Sequence, residues 1–151
     1  MTARSHLITS LTAWEALDSR GRPTVAAALT LAGGATGSAM APSGASAGSH
    51  EAFELRDGGE RYQGKGVLKA VENIRSIIAP RLVGVELDDP TALDGALAEL
   101  DPSPAFSNLG ANAALAVSLA SHLAAAAHQG VSLARALQPE GALAIPMPMV
   151  N

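Results

Sequence analysis

In Thr24-Val25-Ala26-Ala27-Ala28-Leu29-Thr30-Leu31, Val25, Ala27, Leu29 and Leu31 fall on one face, and Thr24, Ala26, Ala28 and Thr30 on the other. A period of two with one apolar face predicts a half-buried strand. Gly33-Gly34 follows at once and supplies a tight reversal, so residues 36 to 41 return as another strand. Upstream, residues 7 to 15 carry β-branched and aromatic positions with no Gly or Pro, which predicts a strand there too. Asp18-Ser19-Arg20-Gly21-Arg22-Pro23 is a run of turn formers between the first two. The simplest product is a three-stranded antiparallel meander whose second face is alanine-rich and open to a helical cover.

Beyond residue 66 the period changes. Val67, Val71, Ile74 and Ile78 recur at spacings of four, three and four, with Leu68 and Ala70 widening the stripe. This predicts an amphipathic helix over residues 67 to 79, with Pro80 just past its end. Asp89 and Pro90 form a helix start, as cap and first helical residue, and the helix should bury Leu93, Leu97 and Leu100. Residues 111 to 128 give the strongest helical signal: Leu115, Leu119 and Leu123 repeat at four, and alanine fills nearly all the rest. Small residues on several faces predict a helix packed on more than one side, hence central. Gly130 closes it, and residues 132 to 137 predict one last short helix. The fold class is α+β: the meander followed by a bundle of three to four helices.

Aromatic residues are only 3% of the 151, so the interior has to be built from Leu, Val, Ile, Met and close-packed Ala. With 14 acidic and 10 basic residues the net charge is -4, which gives no basic footprint for nucleic acid. The absence of cysteine excludes disulfides and thiolate metal sites. No apolar run approaches the roughly 20 residues of a membrane span, so cytoplasmic residence is the expectation.

Between sheet and helices lies Pro42-Ser43-Gly44-Ala45-Ser46-Ala47-Gly48-Ser49-His50-Glu51. Gly44 and Gly48 offer backbone freedom, and the small side chains let main chain approach a bound group. On chemistry alone the run suits an anion or a hard cation such as magnesium; a solvent-exposed connector would look much the same. The following residues, 51 to 56, have the composition of a helical turn or two, stopped by Asp57-Gly58-Gly59. His122 and His128 are six apart and fall on different helix faces, which suits hydrogen bonding rather than a metal pair.

Five motifs stand in register: Asp18-Ser19-Arg20-Gly21-x-Pro23-Thr24-Val25, Pro42-Ser43-Gly44-Ala45-Ser46-x-Gly48-x-x-Glu51, Glu54-Leu55-Arg56-Asp57, Gly64-Lys65-Gly66-Val67 and Leu109-Gly110-Ala111-Asn112-Ala113. In order and spacing the chain resembles the N-terminal domain of enolase from about residue 8 onward. The resemblance implies a cap whose partner is a (β/α) barrel, either a missing C-terminal domain or a second polypeptide. That barrel would supply the lysine base, the glutamate acid and most ligands of a Mg2+ cofactor. Residues 1–141 would be the cap, and the apolar residues 142–151 would begin the linker into the barrel. Ser46 matches the lid serine that binds the second magnesium on closure; Gly44, Ala45 and Gly48 match the lid frame. Ser43, Ala47, His50 and Glu51 complete the lid loop, His50 and Glu51 as steering groups or as an exposed polar pair. Arg56-Asp57 and Lys65 would order the base of the cap. Arg20 resembles an arginine near the enolase dimer interface, which implies a homo-oligomer.

Three positions depart from the family pattern. Ser-Thr-Gly becomes Ser46-Ala47-Gly48, the Asn before Pro23 becomes Arg22, and the acidic residue after Pro-Thr-Val becomes Ala26. Two functions follow as expectations. One is the cap and lid of an enolase-like lyase, inactive alone, that dehydrates 2-phosphoglycerate or a related phospho or phosphono acid. The other is a non-catalytic interaction or regulatory module.

Overall fold

The computed structural model describes residues 5–44, 48 and 50–148. Its sheet is the expected meander, in the order β1 (Ile8–Leu17), β2 (Pro23–Leu31), β3 (Thr36–Met40), antiparallel throughout. The register sets Leu11 beside Leu29 beside Gly37, and Ala13 beside Ala27 beside Ala39, on the face turned to the helices. The opposite face carries Trp14, Ala26 and Met40 in one row. Ala26 is fully buried there although Trp14 and Met40 are 41% and 54% exposed, because the two larger side chains flank it across the strands.

The helical layer comprises α1 (Leu68–Asn73), a wide π turn (Ile74–Ile78) and α2 (Ala79–Leu82) as one continuous rod, then α3 (Pro90–Leu100), α4 (Ala111–Gln129) and α5 (Leu133–Leu137). Counting the rod once gives four helices among the described residues. Asp89 caps α3 by accepting from the Thr91 N–H at 2.9 Å, and Gly130 ends α4 in the left-handed region at φ 69°. Both ends are where the sequence put them.

Two expectations are corrected. The first rod does not stop before Pro80; it runs through it to Leu82. A proline inside a helix normally crowds the preceding turn. Here the Ala79 N–H reaches back five residues to Ile74 O, and that wider turn makes room for the ring. Residues 51 to 56 are not helical. Their backbone is extended because its partners are distant: Phe53 N–H donates to Ala105 O and the Ala111 N–H to Phe53 O, each at 2.8 Å. The helix α4 is central, as its small residues predict, and it docks through them. Leu115 is 39% exposed, while Ala113, Ala116, Val117, Ala120 and Ala124 are fully buried against the sheet.

Gly37 selects that face. A Cβ there would lie on top of the Ala120 carbonyl and the Ala124 nitrogen, and 2.9 Å from the Leu123 carbonyl carbon. Sheet and helix therefore meet backbone to backbone, a spacing only small α4 side chains permit. Gly37→Ala is expected to cost on the order of 3 kcal/mol through overpacking. In contrast, Gly95 in α3 has nothing within 4 Å of its added methyl, so Gly95→Ala should stabilise by about 0.5–1 kcal/mol. Urea unfolding of the two variants reads both signs.

Candidate functional site

The glycine-serine loop is pinned at both ends. On the N-terminal side, Thr24 donates its buried hydroxyl to Ala41 O, and the Ala41 N–H pairs with Val25 O at 2.8 Å, so β2 carries the loop's point of departure. Ser43 is then held by two guanidiniums. Arg20 Nη2 donates to Ser43 O at 2.7 Å, and Arg56 Nη2 donates to Ser43 Oγ at 2.9 Å. Each arginine is itself fixed. Asp18 Oδ2 accepts from Arg20 Nε and Nη2, both at 3.1 Å, and Glu54 Oε1 pairs with Arg56 Nη2 at 2.5 Å. The Arg22 N–H, with the backbone and side chain of Arg20, holds the Asp18 carboxyl below the usual range against an opposing effect of desolvation.

On the C-terminal side the restraint is neutral and buried. Asn112, 5% exposed, accepts from the Leu55 N–H at 3.1 Å and donates to Leu55 O at 3.0 Å. A lone asparagine in an alanine helix needs such a partner, because an unpaired buried amide is costly. Gly110 makes the approach possible. Its φ is 92°, and a Cβ would fall 2.6 Å from both Asn112 Oδ1 and Leu55 Cβ.

A second buried group holds the segment that Phe53 leans on. Asp101, 3% exposed, accepts from the Leu109 N–H at 2.7 Å, the Asn108 N–H at 3.0 Å and the Ser103 N–H at 3.1 Å, and from the Ser103 hydroxyl. Burial pushes its carboxyl up, but these donors outweigh it and hold the pKa at about 2. The loop so closed, residues 102 to 108, presents Ala105 O to Phe53.

Of the predicted lid residues, Ser43, Gly44, Gly48, His50 and Glu51 are described, whereas Ala45, Ser46 and Ala47 lie outside the described residues. The bare Cα of Gly48 lets Glu51 Oε1 come within 3.2 Å of where a methyl would stand. His50 and Glu51 are exposed at the rim, and Glu51 N–H returns to Gly48 O at 3.2 Å. Arg56 and Asp57 order the base through their side chains, whereas Lys65 takes part through its backbone O, which accepts from Arg56. Asp57 caps α1, accepting from the N–H groups of Leu68 at 2.9 Å and Lys69 at 2.8 Å. His122 pairs with Asp94 at 3.1 Å, and the His128 ring stands 4.2 Å from that of His6.

Next to the C-terminal anchor, Ala52, Leu97, Phe106, Ala111, Ala114 and Leu115 line most of an open apolar groove of about 310 Å3. Asn112, Asp101 and this groove escaped the sequence reading. Asn112 lay in a quoted motif, and its polarity amid alanine was the available signal.

The family described as "Enolase, N-terminal domain" matches residues 8–137. The chain belongs to the enolase N-terminal domain family. Among curated relatives, the enolase of Campylobacter lari is 50% identical over 145 residues, and that of Campylobacter jejuni (strain 81-176) is 52% identical over the same length. Each match covers 96% of this chain. The chain spans 35% of the length of either enolase, as the N-terminal portion.

Two outcomes test the anchors. Asn112→Ala should cost about 1–3 kcal/mol and speed hydrogen exchange at the Leu55 amide, seen by NMR. Because the folded Asp101 pKa lies below its unfolded value of about 3.9, its stabilisation is complete above that value and drains away as pH falls towards 2. The unfolding midpoint of Asp101→Asn should therefore lose the part of the acid dependence seen in the parent chain between pH 4 and roughly 2.

Proposed function

We propose that this enolase N-terminal domain is the cap of an enolase-type hydro-lyase. Residues 43 to 51 are its lid, and polypeptide outside this chain completes the reaction centre. That polypeptide is either the remainder of a longer protein or a separate barrel chain, joined after Gly141. The reaction is dehydration of 2-phosphoglycerate to phosphoenolpyruvate, or of a related phospho or phosphono acid, in the cytoplasm.

The observation that carries this reading is mechanical. A short run of small residues is fixed at Ser43 by two guanidiniums and at Phe53–Leu55 by buried backbone and amide bonds. Such a loop has fixed pivots and few side chains to reorder, which suits repeated closure over a substrate. Closing it excludes water from the reacting groups. His50 and Glu51 then stand at its rim, positioned to steer an anionic substrate or to meet the opposing surface.

The described residues contain no group of three or more His, Asp or Glu side chains able to hold a metal. They therefore do not fit a magnesium site on their own. The most the lid adds is one hard oxygen, the Ser46 hydroxyl, to a Mg2+ held elsewhere.

A second reading is a non-catalytic interaction module, and Ala26 favours it. The resembled family carries an acid at this position to bridge a dimer; here the residue is sealed under Trp14 and Met40, so this row of the outer sheet face is apolar. Co-purification with a polypeptide supplying the remaining two-thirds of an enolase, followed by a magnesium-dependent dehydration assay, separates the readings. Turnover should appear only on mixing and fall roughly 10²-fold in Ser46→Ala. Stable binding without turnover supports the module, and turnover by this chain unaided contradicts both.

A further inference from the structure

Between the turn that links β1 to β2 and the turn Arg61–Gly64 lies a polar hollow of about 240 Å3, lined by Gly21, Arg22, Pro23, Tyr62, Gln63 and Lys65. Two cationic side chains belong to its wall. Among the described residues, neither the Arg22 guanidinium nor the Lys65 ammonium has a hydrogen-bonding or ion-pair partner; only their backbone atoms are engaged.

Four nearby acids are committed, and Glu60, at the start of the Arg61–Gly64 turn, forms no ion pair with either cation. Asp18 takes Arg20 and the Arg22 N–H, Glu15 takes Arg61 and the Val67 N–H, Glu54 takes Arg56, and Asp57 caps α1. The walls are also fixed to each other. Arg56 Nη1 donates to Pro23 O at 2.7 Å and to Lys65 O at 2.6 Å, so one guanidinium ties the two turns together from below. Tyr62 and Gln63 hold consecutive left-handed backbone angles (φ 51° and 56°), a conformation that persists only where the surroundings enforce it.

An uncompensated pair of cations in a concave polar wall concentrates anions. Guanidinium presents a planar fork to oxyanions, and ammonium adds a second point charge. We propose that this hollow binds a small dianionic oxyanion of the phosphate type, inorganic phosphate or a phosphate monoester, through Arg22 and Lys65. Arg22 is one of the three departures from the resembled pattern, where asparagine would leave a single cation. The inference stands independently of the lyase reading.

The test is an NMR titration of the 15N-labelled chain with inorganic phosphate at pH 7.5, with sodium chloride and sodium acetate at matched ionic strength as comparators. Saturable shifts are expected at the amides of Gly21, Gln63, Gly64 and Lys65, with a midpoint on the order of 1 mM. Arg22→Asn and Lys65→Gln should each raise the midpoint at least about fivefold while the rest of the spectrum is unchanged. If one variant fails to fold, the other decides. Shifts that do not saturate, that chloride reproduces, or that acetate matches at the same midpoint overturn the proposal. So does a midpoint that neither substitution moves.

Discussion

Gly37 brings the β3 backbone into direct contact with the backbone of α4, and the space a methyl would need is already filled by Ala120 and Ala124. The composition of the core follows from that contact. A helix seated so close to a sheet can offer only small side chains, so Ala113, Ala116, Ala120 and Ala124 form the buried stripe. Alanines contribute little area each, but they lose almost no side-chain entropy on ordering. The bulk of the interior comes from the flanks: Leu29 and Leu31 from β2, Ile74 and Ile78 from the first helical rod, and Leu93 and Leu97 from α3. A chain with 3% aromatic residues can fill its core this way.

The same close seating fixes the loop's far pivot. With α4 locked to the sheet through its middle, its first turn is held in place. Asn112 there can grip Leu55 in both directions only because Gly110 leaves room. Asp101 extends the grip by closing residues 102 to 108 into a loop that offers Ala105 O to Phe53. The packing of one helix thus determines where the 43 to 51 run ends.

Features whose causes are local were legible in the sequence. Alternation in β2, the Asp89-Pro90 start and the Gly130 stop all depend on neighbours within a few residues, and each stands where its pattern placed it. Residues 51 to 56 looked helical because their partners, up to 58 positions away, leave no mark in the local composition. The alanines of α4 foretold a close-packed central helix, but which face docks is chosen by a single glycine in β3. Pro80 read as a stop because the π turn that accommodates it is a hydrogen-bond shift, not a residue pattern. Among the candidate site residues, the Ser43 hydroxyl is held by Arg56, 13 positions away, a contact local composition does not show. Arg22 was visible only as a departure until the fold set it beside Lys65.

The two pivots rest on different physics, and this gives the loop an asymmetry. At Ser43 the restraint is ionic and partly open to solvent: the Arg20 and Arg56 side chains are 39% and 21% exposed. Ion pairs of this kind are individually weak and are screened as salt rises. At Leu55 the restraint is a neutral, buried amide pair that salt does not reach. The Ser43 end is therefore the more salt-sensitive of the two restraints. Arg56 belongs to that end and also ties together the two turns that wall the Arg22–Lys65 hollow, through Pro23 O and Lys65 O.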